Sequence, residues 1–89
     1  MELFKNGGDA HLTTWGTSPE ERNEVKEITF LLSLSKEVKV GDAIQGRPAS
    51  DGRPASYFII EKIIEARPAR LSGYSFIKAE AKYSNKTPL

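Results

Sequence analysis

Eighty-nine residues (9.9 kDa) with 38% hydrophobic content hold one domain and a single modest core, burying about 60–65% of the unfolded surface. The chain has no cysteine and one histidine, which excludes disulfides, thiolate zinc sites and an imidazole-rich metal centre within one chain. The net charge of +1 hides a split: residues 1–43 carry five basic and eight acidic side chains, residues 44–89 eight and four. Four of the five arginines fall between Arg47 and Arg70.

The opening Met1–Gly8 has no apolar run of the secretory kind, and Tyr57-Phe58-Ile59-Ile60, the longest apolar run, is far short of the roughly 20 residues that cross a bilayer. A soluble protein of the cytoplasm, or of something assembled there, is expected. Small folds of this kind are stabilised by an efficient core or by neighbouring chains.

Residues 10–15 are β-prone and lie between Gly7-Gly8 and Gly16, which predicts a first strand. Ser18-Pro19-Glu20-Glu21 reads as a helix start: a capping serine, proline at the first helical position, and acids in the first turn. Val25, Ile28, Leu31 and Leu32 fit one helical face, yet Ile28, Phe30, Leu32 and Leu34 alternate and only Leu31 breaks the pattern. Poor helix formers in this stretch favour a short helical turn near 19–24 and a strand near 26–35.

Gly41-Asp42 supplies a tight turn before a strand that starts at Ala43–Gln45. The pentapeptide Gly-Arg-Pro-Ala-Ser then occurs twice, at 46–50 and 52–56, around Asp51. Pro48 and Pro54 lack the N–H that a ladder needs, and Asp51-Gly52 favours a reversal. A stiff, exposed finger over 46–56 follows, carrying Arg47 and Arg53. Tyr57–Glu65 is again two-sided: Ile59, Ile60, Ile63 and Ile64 suit a helix, while four isoleucines and two aromatics in nine residues favour a strand covered on both faces. The proline-bearing flanks favour the strand. Residues 74–83 place Ile77, Ala79, Ala81 and Tyr83 on one face and Lys78, Glu80 and Lys82 on the other, the pattern of a half-buried strand.

About five mostly antiparallel strands predict a mainly β domain over residues 1–83: a small barrel, closed or half-open, with one helical turn, the finger and a polar tail over 84–89.

His11 has no nucleophile at a recognisable spacing and reads as a structural or surface histidine. Glu20, Glu21, Glu24 and Glu27 suit a helix N-terminus better than a metal site. No catalytic residue, cofactor or metal is expected. Trp15, Tyr57, Phe58, Tyr74, Phe76 and Tyr83, with Arg47, Arg53, Arg67 and Arg70, offer one alternative: a monomeric oligonucleotide-binding barrel for single strands. A small inhibitor of a host protein is a third reading. The charge split and the stiff finger favour an interaction module whose contacts are Arg47, Pro48, Asp51, Gly52, Arg53, Pro54, Arg67 and Arg70.

Three segments in order, Lys39-Val40-Gly41-Asp42-Ala43-Ile44, Tyr57-Phe58-Ile59-Ile60-Glu61-Lys62-Ile63 and Tyr74-Ser75-Phe76-Ile77-Lys78-Ala79-Glu80-Ala81, resemble the small head-completion proteins of tailed bacteriophages. These are the connector, adaptor, stopper and head–tail joining proteins, and the resemblance covers roughly residues 38–83. It implies a small β-barrel forming a homo-oligomeric ring at the neck of a virion, between portal, adaptor or tail proteins, with a loop facing the lumen or the next ring and in reach of packaged DNA. It brings no catalytic residues. The Arg-Pro-Ala-Ser duplication departs from the family pattern.

Overall fold

The computed structural model describes residues 1–13, 25–46 and 56–84. The helical turn expected near 19–24, Trp15, residues 47–55 of the finger and the tail beyond Ser84 lie outside the described residues.

Six strands form one mixed sheet: β1 (Leu3–Phe4), β2 (Ala10–Leu12), β3 (Val25–Ser33), β4 (Ala43–Gln45), β5 (Tyr57–Pro68) and β6 (Tyr74–Ser84). Their spatial order is β1-β4-β5-β6-β3-β2. The mainly β expectation holds, and both two-sided segments are strands. Two details differ from expectation. A sixth strand, β1, is too short to show any periodicity, and it pairs parallel with β4 through Leu3–Ala43 and Phe4–Ile44. The strand expected over residues 10–15 ends at Leu12, with Thr13 already outside it. Of the two expected forms, closed and half-open, the sheet is not closed: among the described residues β1 and β2 are its two edges, with no ladder joining them.

Chain connectivity nevertheless forces the sheet to roll. Six flat strands would hold their outer members about 24 Å apart, whereas the six steps from Phe4 to Ala10 reach at most about 21 Å when fully extended. That link is not extended, because the Gly8 N–H donates to the Lys5 carbonyl (3.0 Å) and Gly7 turns at φ 92°. The edges are therefore drawn together around one apolar face. Phe4, Ala10, Leu12, Ile28, Phe30, Leu32, Ile44, Phe58, Ile60, Ile77, Ala79, Ala81 and Tyr83 fill the inside, and Val38 from the β3–β4 connection joins them.

Two polar side chains secure the edges. Asn6 Oδ1 accepts the Leu12 N–H (2.9 Å) and the Gly7 N–H donates to the Ala10 carbonyl (2.8 Å), which occupies the outer side of β2. Asp42, only 7% exposed, accepts the Glu2 N–H at Oδ1 (3.0 Å) and the Lys39 N–H at Oδ2 (2.8 Å). The Gly-Asp turn thus ties β1 to β4. Gly41 at φ 95° makes the turn possible, since side-chain-bearing residues rarely take that conformation.

β5 resolves the ambiguity over Tyr57–Glu65. Its pairing with β6 slips twice, between Ile60 and Lys62 and between Ile63 and Glu65. The partners of the inward-facing Tyr83, Ala81, Ala79 and Ile77 are consequently Phe58, Ile60, Ile63 and Ala66. Each bulge stretches the spacing from two residues to three, so a bulged strand acquires a helix-like sequence pattern.

Candidate interaction surfaces

Of the residues singled out from sequence, Arg47, Pro48, Asp51, Gly52, Arg53 and Pro54 lie outside the described residues. Their anchor does not. The Gly46 N–H donates to the Ser56 carbonyl (2.7 Å), so the chain leaves and returns at one point beside the end of β4 and the start of β5. Gly46 is buried, and a Cβ there would lie 2.6 Å from Ser56 Oγ and 3.3 Å from both the Ser56 carbonyl oxygen and the Phe58 ring. A side chain there would require the Ser56 hydroxyl to turn away and its neighbours to give, so glycine suits this close approach.

Arg67 and Arg70 sit at the opposite end of β5. Arg67 lies on the outer face, its Nε 2.9 Å from Glu65 Oε1 and its guanidinium carbon 4.4 Å from the centre of the Phe76 ring. Both partners of that ion pair are about half exposed, so the pair is screened and adds little to stability. Arg70 is exposed in the β5–β6 turn, next to Leu71, which is 55% exposed. Leu34, also exposed, is brought to this turn by its N–H bond to the Gly73 carbonyl (3.1 Å). Arg67 and Arg70 thus sit at the end of β5 away from the Gly46–Ser56 anchor.

The candidate stacking residues divide in the same way. Phe58 and Tyr83 belong to the core, where their rings meet edge to face at 5.7 Å, and neither is available to a ligand. Tyr57, Tyr74 and Phe76 alternate to the outer face and are half-buried. His11 joins them there, its ring 5.5 Å from that of Tyr74 at 71°. Leu31 faces the same side: His11 pairs with Leu31, Leu31 with Phe76, and Phe76 with Arg67, in one row across β2, β3, β6 and β5. The residue that broke the alternation of β3 is the apolar centre of this outer row, and that break was its signal in the sequence.

Distal β5 presents a second surface. β4 pairs only with Tyr57–Ile59, and the Gly41-Asp42 turn reaches Ile60. From Glu61 to Pro68 no described strand pairs with β5 on that side. Two bulges, the charges of Glu61, Lys62, Glu65 and Arg67, and Pro68 occupy this edge. These are the devices by which proteins keep an open edge from pairing indiscriminately.

An open depression of about 410 Å³ lies beside the N-terminus, lined by Glu2, Lys36, Lys39 and Asp42 among others. Its charges partner one another, Lys36 Nζ standing 3.6 Å from Glu2 and 3.9 Å from Asp9, and Asp42 is committed to backbone N–H groups. His11 is on the outer face, away from it. Among the described residues no group of three or more His, Cys, Asp or Glu side chains is placed to hold a metal ion. Of the acidic run, Glu27 faces Lys78 across the β3–β6 ladder at 3.2 Å, while Glu20, Glu21 and Glu24 lie outside the described residues. No protein-family model, curated protein or solved structure matches the chain.

Proposed function

We propose that the chain is a non-enzymatic structural subunit of a tailed-phage virion, assembling as a homo-oligomeric ring at the neck between portal, adaptor or tail proteins. The observation that carries this reading is the joint placement of the three segments behind the family resemblance. They form β4, β5 and β6, adjacent in the sheet, with the excursion anchored at Gly46 and Ser56 between the first two. A ring built by heterologous contacts needs two unlike patches on each subunit. The roll offers a finger anchored at one end and, at the other, the β5–β6 turn with Arg70, Leu71 and Leu34. In this reading Arg47 and Arg53 meet carboxylates of the next subunit or phosphates of packaged DNA, and proline-stiffened arms lose little entropy on docking.

Native mass spectrometry with electron microscopy of the isolated chain tests it, alongside a variant in which residues 47–55 are replaced by two glycines. The expected result is a ring for the natural chain and a folded, non-assembling roll for the variant. A natural chain that stays monomeric at every concentration, or a deletion that abolishes folding, overturns the reading.

A further inference from the structure

We propose that the outer face of β2, β3 and β6 is a stacking platform for single-stranded nucleic acid, with bases on Tyr74, His11 and the Arg67-capped ring of Phe76 and a phosphate on Lys78. This goes beyond the assembly role and stands on separate observations. A solvent-facing sheet surface is usually polar, yet here one row runs His11, Leu31, Phe76, Arg67, with Tyr74 against His11. Within the described residues no element covers it. Tyr74 and Phe76 stand two residues apart on one strand, so their points of attachment are about 6.6 Å apart. That is roughly twice the 3.4 Å step between bases in a duplex, a spacing that suits bases drawn apart along a single strand. A duplex hides the faces of its bases and offers such rings nothing to stack on.

The charges fit the same ligand. The Arg67 guanidinium carbon lies 4.4 Å from the centre of the Phe76 ring, and guanidinium planes stack on bases as aromatic rings do. Lys78 follows on β6 as the next outward residue after Phe76. Arg67 and Lys78 make exposed ion pairs to Glu65 (2.9 Å) and Glu27 (3.2 Å), which a phosphate can displace at small cost. The half of the chain that supplies β5 and β6 carries eight basic side chains against four acidic ones.

Fluorescence anisotropy of a labelled oligothymidylate of about 12 nucleotides, titrated with the full chain at about 50 mM and about 200 mM salt, reads the platform directly. The expected result is saturable binding that weakens at higher salt. Tyr74→Ala and Phe76→Ala should each weaken it by about fivefold or more, whereas Phe76→Trp should retain it. Lys78→Ala should lower the salt slope by about one, and circular dichroism should show each variant folded. If Phe76→Ala fails to fold, Tyr74→Ala and Lys78→Ala carry the same test. Absence of saturable binding overturns the proposal, as does equal affinity for a duplex of the same length. Loss of binding in Arg47→Ala/Arg53→Ala with no change in the outer-face variants would assign it to the finger instead. An oligomer dissociated by Phe76→Ala in sedimentation, from a chain that ignores the oligonucleotide, would make this face a subunit contact and end the proposal.

Discussion

The two halves of β5 share one strand and carry two isoleucines each, yet they do different work. From Tyr57 to Ile60 the strand lies between β4 and β6, and Phe58 and Ile60 point into the core. From Glu61 to Pro68 it has β6 alone among the described strands, slips register twice and lies largely open to solvent. Ile60 is 1% exposed and Ile64 43%, four residues apart. Composition therefore says little about which isoleucine stabilises the fold. The neighbouring strand decides it: β4 begins at Ala43, directly after the Gly-Asp turn, which lies level with Ile60.

Three substitutions test that contrast. Ile60→Ala should have the largest effect, since it removes a fully enclosed side chain: a loss of about 2–5 kcal/mol in urea unfolding. Asp42→Ala acts at the boundary between the halves, because Asp42 also pairs with Ile60 through its backbone. It leaves the Glu2 and Lys39 N–H groups without their acceptor, and about 1–3 kcal/mol should be lost. Amide exchange resolves where: protection should fall at Leu3–Phe4 and Ala43 before it falls at β6. Ile64→Ala should change stability least, by roughly 0.5 kcal/mol or less. An Ile64→Ala cost equal to that of Ile60→Ala would break the comparison and mean that distal β5 is covered in solution.

Where the sequence was hard to read, the cause is physical and local. The spacing of Ile59, Ile60, Ile63 and Ile64 imitates a helix because two bulges add a residue each between inward positions. Leu31 spoils the alternation of β3 because the outer face holds an apolar row of its own. β1 is two residues long and its partner lies about forty residues away, so neither periodicity nor turn chemistry announces it. β6, by contrast, was plain: Ile77, Ala79, Ala81 and Tyr83 are all buried and alternate without a break. The surfaces were legible only in part. Arg67 and Arg70 stood out, but sequence distance did not reveal that they lie at the end of β5 away from the Gly46–Ser56 anchor. His11 read as a structural or surface histidine, and it is the register of β2 on β3 that sets it in line with Phe76 and Arg67.

By itself the sequence determined that this is a mainly β chain with a turn at Gly41-Asp42, because residue-level preferences for strand and reversal act over a few neighbours. Only the tertiary structure decided that the sheet rolls without closing, and which rings point outward. Those outcomes depend on register and on the five-residue link between β1 and β2, which joins the two edges of the sheet across its full width.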